Sequence, residues 1–219
     1  MDAMTFVASL VEEMNDLFGR LGEHETLEAE SDGNPDVVTL LKLALTSELE
    51  ASEMAGYWMP MTPEVDGKLV FAHQCGDEMK HYQLIANRLG ELGVDLDGFD
   101  PLADGYSPLY EYMKTLRTTP ERVAAGPFAS EAIAEVRNAQ FISFCKAAGD
   151  EETARLYEEK IHPEEINHYR EGRTFLEEHA TTPEVQEAVR TAVRTTLAIA
   201  DELRTLTEKA TGMHSIPTS

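Results

Sequence analysis

Apolar residues recur three and four positions apart through most of the chain, and the alternation that marks a half-buried strand is almost absent. Phe6, Val7, Leu10 and Val11 mark a first helix from about Met4 to Leu21, followed by a polar, acidic linker from His24 to Gly33. Asn34 then caps a second helix with Pro35 at its first position. In it Leu40, Leu41, Ala44, Leu45, Ala51 and Ala55 keep helical spacing until Pro60 stops the run. A third helix is expected from about Glu64 to Leu92, ending at Gly93. From Val94 to Gly105, Asp, Gly and Pro residues make a loop, and Ser107 and Pro108 start a short helix to about Arg117. A long helix covers about Pro120 to Ala148, with an interruption suggested at Gly126-Pro127. Gly149 ends it and Asp150 caps the next, Glu151 to about His179, with Pro163 expected to kink it. A final helix spans Pro183 to Ala210, and the Ser/Thr/Pro tail is expected to be disordered.

The order is helix pair, long connection, helix pair, with one helix added at each end. It implies an all-α, single-domain protein built on a four-helix bundle with one long crossover. The bundle core covers about residues 35–180, and the added helices about 4–21 and 183–210. Tight turns make each pair antiparallel, and a crossover of about 25 residues is long enough to run the length of the bundle.

Charge narrows the function classes. The net charge of -23 over 219 residues argues against nucleic acid as a partner, because phosphate contacts need Lys and Arg in excess. It also disfavours an anionic membrane surface, and reads as a solvated acidic coat suited to a salty cytoplasm. The apolar run at the N-terminus is broken at once by Glu12 and Glu13, so it reads as neither a secretory signal nor a span. Cys75 and Cys145 are too few for a thiolate zinc site and are expected to be free thiols in a reducing compartment. A cytoplasmic location follows as the expectation.

The candidate chemistry lies in a repeat. The third helix contains Glu78-Met79-Lys80-His81-Tyr82 and the later one Glu165-Ile166-Asn167-His168-Tyr169, both of the form E-x-x-H-Y. Thirty residues before each Glu stands another, Glu48 and Glu135. A single E-x-x-H carries little weight, and Glu159 with His162 makes a third instance; two matched ones, each behind a Glu at equal distance, are a different matter. Residues three apart share a helix face, so each motif aims one carboxylate and one imidazole at the same point. Two pairs packed face inward bring four carboxylates and two imidazoles to the bundle axis. Buried without counter-charge these would be prohibitively costly, and two divalent cations would neutralise them. Oxygen-rich ligation with one imidazole per ion suits iron or manganese better than zinc or copper.

Neighbouring side chains leave alternatives. Glu131 is one turn before Glu135 on the same face and could replace or supplement it. His162, three residues before Glu165, could reach the site as an extra ligand or proton carrier. Glu50 and Glu53, roughly 200° and 140° around the helix from Glu48, should face solvent. Gln74, one turn before Glu78, points inward as a hydrogen-bond donor to a ligand or as packing. His73 should point away, with Asp77 or solvent as its partner. Tyr82 and Tyr169 read as packing.

On Glu48, Glu78-x-x-His81, Glu135 and Glu165-x-x-His168 the chain resembles the ferritin-like di-iron carboxylate superfamily, over roughly Pro35 to His179. The resemblance implies a non-haem centre of two iron ions, with manganese or a mixed manganese–iron pair as the variants. It implies an oxidoreductase that activates O2 to oxidise or hydroxylate a small organic substrate, drawing electrons from a separate donor or the substrate, and a homodimer is compatible with it. The competing class is metal handling without an organic substrate, as in ferroxidases, iron stores and peroxide scavengers. No subfamily follows, although the four-cysteine iron site usual in rubrerythrins cannot be supplied by two cysteines.

Overall fold

A computed structural model describes residues 1–22 and 36–211 of the chain. The linker from His24, the cap expected at Asn34, Pro35 and the Ser/Thr/Pro tail lie outside the described residues. The described residues are helical with no strands. The elements are α1 (Ala3–Gly22), α2 (Val37–Trp58), α3 (Val65–Glu91), α4 (Pro108–Lys114), α5 (Thr119–Val123), α6 (Glu131–Ala147), α7 (Glu151–Leu156), α8 (His162–His179) and α9 (Pro183–Thr211). Two wide π-helical segments, Ala124–Ser130 and Tyr157–Ile161, join α5 to α6 and α7 to α8 without a break.

Helix ends follow the capping chemistry of the sequence. Asp36, rather than Asn34, caps α2 by accepting from the Thr39 amide. Ser107 caps α4, Thr118 and Glu121 form a capping box on α5, and Asp150 caps α7. The turn between α6 and α7 closes at Gly149, whose φ of 79° is the left-handed geometry that glycine adopts freely.

The two prolines of the second helix pair coincide with the π segments. Pro127 sits inside the first, and Pro163 follows two residues after the second. A proline in an α-helix removes an amide donor and crowds the carbonyl four residues back. The wider π turns keep the chain helical past both prolines, so the interruption expected at Gly126-Pro127 is continuous helix.

Four rods form the bundle: α2, α3, the α5–α6 run and the α7–α8 run. Each passes through two apolar layers. One contains Met54, Ala55, Trp58, Phe71, Phe128, Ala129, Phe175 and Leu176; the other contains Leu41, Leu45, Ile85, Leu89, Ile142, Cys145, Tyr157 and Ile161. The α2–α3 turn lies beside the first layer and the α6–α7 turn beside the second, so the hairpins are inverted relative to each other. The connection from α3 to α4 therefore travels the length of the bundle, with Val94, Leu96 and Phe99 against the second layer and Leu109 and Tyr112 against the first. Glu50 accepts from the amide and hydroxyl of Ser107, and Glu53 accepts from Tyr106, so these acids on the outer side of α2 clamp the crossover.

The remaining helices extend the first layer. Phe6, Val7, Leu10 and Met14 of α1 and Val189, Val193 and Leu197 of α9 pack into it. Tyr169 stacks on Phe128 with ring centroids 5.3 Å apart, and Tyr82 packs against the second layer, as packing residues should. No described helix is long and apolar enough to cross a membrane.

Candidate metal centre

Between the two apolar layers each rod contributes acid. Glu48, Glu78, Glu131, Glu165, His81 and His168 are all buried there, and both imidazoles are at most 1% exposed. They form two clusters, Glu48–Glu78–His81–Glu165 and Glu78–Glu131–Glu165–His168, which share Glu78 and Glu165. The sharing is resolved to single atoms. Nδ1 of His81 lies 3.1 Å from Oε2 of Glu78 and 3.6 Å from Oε1 of Glu165. Nδ1 of His168 lies 3.4 Å from the other oxygen of each, Oε1 of Glu78 and Oε2 of Glu165. Two carboxylates thus each face both imidazoles. Glu48, 3.3 Å from His81, stands at one end of the cluster pair, and Glu131 stands at the other.

Glu131 takes the place expected of Glu135. Glu135 is only partly buried, belongs to neither cluster, and its charge acts on Tyr169. The thirty-residue match assumed that both turns lie equally far from the acid layer. The helical arm after Glu48 runs thirteen residues to Met61, whereas Ala147 ends α6 sixteen residues after Glu131, and the arms from Val65 to Glu78 and from Glu151 to Glu165 span thirteen and fourteen. The second hairpin therefore takes about four residues more, about one helical turn, and the level position moves back from Glu135 to Glu131. Gln74 fixes the choice, since its amide donates to Oε1 of Glu131.

The outer nitrogen of each imidazole is held from the opposite helix. Nε2 of His81 is 2.8 Å from Oε2 of Glu164, and Nε2 of His168 is 3.2 Å from Oδ2 of Asp77. Asp77 immediately precedes Glu78 and Glu164 immediately precedes Glu165, so each strand of acid serves its own cluster with one carboxylate and the other helix's histidine with the next. A carboxylate on the outer nitrogen fixes which ring atom faces inward and raises its basicity, the usual support of a metal-binding histidine. Sequence reading missed this pair, although the extended form [Asp/Glu]-Glu-x-x-His was present in both repeats.

His162 joins neither cluster, although its Nδ1 is buried without a hydrogen-bond partner. His73 points away from the centre as expected and meets Glu171 at 3.2 Å instead of Asp77. A third acidic group, Asp66, Glu178 and His179, lies at the surface, where His179 and Asp66 pair at 2.6 Å.

Burial would raise Glu78, but the His168 and His81 imidazoles beside it hold it below the usual carboxylate range. Burial drives Glu48 well above that range, with His81 opposing and Glu78 and Glu165 adding to the rise. Glu131 meets no imidazole and is also pushed well up, by burial and then by Glu165 and Glu78. Burial opposes charge on His81, but Glu48 and Glu78 outweigh it and push the ring up to about 11. His168 is pushed to about 10, with Glu165 and Glu78 overcoming burial.

The residues could hold metal ions. Oε2 of Glu165 and Nδ1 of His168 are buried, 3.4 Å apart and without hydrogen-bond partners. Orphaned polar atoms in a dry interior are uncommon, and a cation between them satisfies both. Four carboxylates and two imidazoles make a hard, oxygen-rich donor set that could hold metal ions.

Comparisons with protein-family models, curated proteins and solved structures find no match for this chain.

Proposed function

We propose that this protein is a ferritin-like dinuclear metal oxidoreductase that activates O2 to oxidise or hydroxylate a small organic substrate. The observation that carries the reading is the sharing of Glu78 and Glu165, one oxygen to each imidazole. Glu78 and Glu165 would help hold both iron ions. Glu48 and Nδ1 of His81 would complete one site, and Glu131 and Nδ1 of His168 the other. When bound, the iron pair supplies redox chemistry toward O2 that the side chains alone lack.

The chain's own part is positioning and exclusion. Glu164 and Asp77 keep the outer imidazole protons and thereby aim both Nδ1 atoms inward. The apolar layers on either side keep bulk water from the acid layer, and Gln74 fixes the rotamer of Glu131. Electrons would come from a separate donor protein or the substrate.

Metal handling without an organic substrate is the competing reading. The half-exposed carboxylates of Asp77 and Glu164 favour it, since they connect the buried imidazoles to the surface. Anaerobic loading of the full chain with Fe(II), metal counting and O2 exposure test the proposal. About two irons per chain and O2 uptake that depends on them are expected; failure to retain iron would refute it. A large hollow assembly on gel filtration, or rapid peroxide turnover without substrate, would favour metal handling over oxygenation.

A further inference from the structure

We infer that the two halves of the centre are unequal: the Glu131–His168 half keeps a resident divalent cation, and the Glu48–His81 half takes up and releases its own. The inference rests on the dinuclear reading above. Three independent features of the surrounding residues point the same way.

The first is a broken repeat. Lys80 and Asn167 occupy matched positions in the two E-x-x-H motifs. Nζ of Lys80 donates to Oε1 of Glu164 at 2.6 Å, and Oε2 of the same carboxylate faces His81. An ammonium bonded to that carboxylate draws off negative charge that would otherwise make His81 a stronger donor. Asn167, by contrast, gives its amide to Glu171. Lys80 acts on Asp77, the support of His168, through space.

The second is support of the end carboxylates. Glu131 is held by Gln74, which is not a ligand. Glu48 leans on His81 and Glu78, both of which a cation would recruit. The third is crowding. Nδ1 of His81 lies against three carboxylates, at 3.1, 3.3 and 3.6 Å, whereas Nδ1 of His168 lies against two, both at 3.4 Å, so an entering cation has more contacts to displace at His81.

Titration of the metal-free full chain with Mn(II), following free Mn(II) by electron paramagnetic resonance, reads both affinities. Wild type should bind two ions in two steps separated by about tenfold or more. Asp77→Asn should weaken the tighter step by about tenfold and leave the weaker one. Lys80→Met, a change at a half-exposed side chain, should strengthen the weaker step and narrow the gap. Two ions in one undivided step, a gap unchanged by Lys80→Met, or a loss in Asp77→Asn confined to the weaker step would each overturn the inference while leaving the dinuclear reading intact. Fewer than two ions at saturation in wild type would overturn both.

Discussion

Gln74 donates its side-chain amide to Glu131, across the bundle from α3 to α6, and this contact makes Glu131 rather than Glu135 the fourth acid of the centre. Glu131→Gln should therefore lower the metal content by about one ion per chain, while Glu135→Gln keeps both. Plasma emission counting on desalted, reconstituted protein checks this. Equal loss in both variants would place the ligand wrongly.

Metal binding should release protons. In the metal-free chain at pH 7 both imidazoles are held protonated, His81 up to about 11 and His168 up to about 10, and Glu48 and Glu131 are raised by burial. A cation must displace these protons, so its affinity should climb with pH through the neutral range, with on the order of two to four protons released per chain. Calorimetry in buffers of different ionisation enthalpy measures the release.

The same groups set the pH dependence of folding. For a histidine raised above its unfolded value, the stabilisation is complete below about 6.5 and is lost as pH rises through the folded value. Metal-free protein should therefore melt at progressively lower temperature as pH rises from about 6.5 toward 10 and 11. Metal-loaded protein should resist this loss, because the cation replaces the protons. Thermal melts with and without chelator compare the two.

Two contacts away from the acids carry the bundle. Gly172 lies against the first π segment, where an added Cβ would come within 2.8 Å of the carbonyl carbon of Pro127 and 2.9 Å of the Phe128 amide nitrogen. These are backbone atoms that cannot swing aside, so Gly172→Ala should cost about 1–3 kcal/mol in urea denaturation.

At the other end Arg88 is almost buried and ties α3 to the α6–α7 turn. It donates to Asp150 and Glu152 at 2.8 Å and to the hydroxyl of Thr153. Arg88→Met should leave Asp150 without its cation and cost about 3 kcal/mol while sparing the metal count.

The rods were legible because helical periodicity and Gly/Pro punctuation are local signals; Glu78, His81, Glu165 and His168 were legible because spacing of three fixes a common face, and Glu48 because it stands thirty positions before Glu78. Glu131 stood only as the alternative to Glu135, because the two share that face and the thirty-residue match favoured Glu135. The supports Asp77 and Glu164 were hidden for a related reason. Each serves a histidine on a different helix, 91 and 83 positions away, a relation that exists only after packing. The π segment at Gly126-Pro127 was read as a break, since sequence shows that a proline disturbs a helix but not how neighbouring turns absorb it.

The central claim is that Glu78 and Glu165 each touch two cations at once. Anomalous diffraction at the iron edge from crystals loaded anaerobically with Fe(II) tests it most directly. Two peaks about 3.5–4 Å apart, flanked by His81 and His168 and spanned by Glu78 and Glu165, are predicted. A single peak there, or iron confined to the surface group of Asp66, Glu178 and His179, would contradict it.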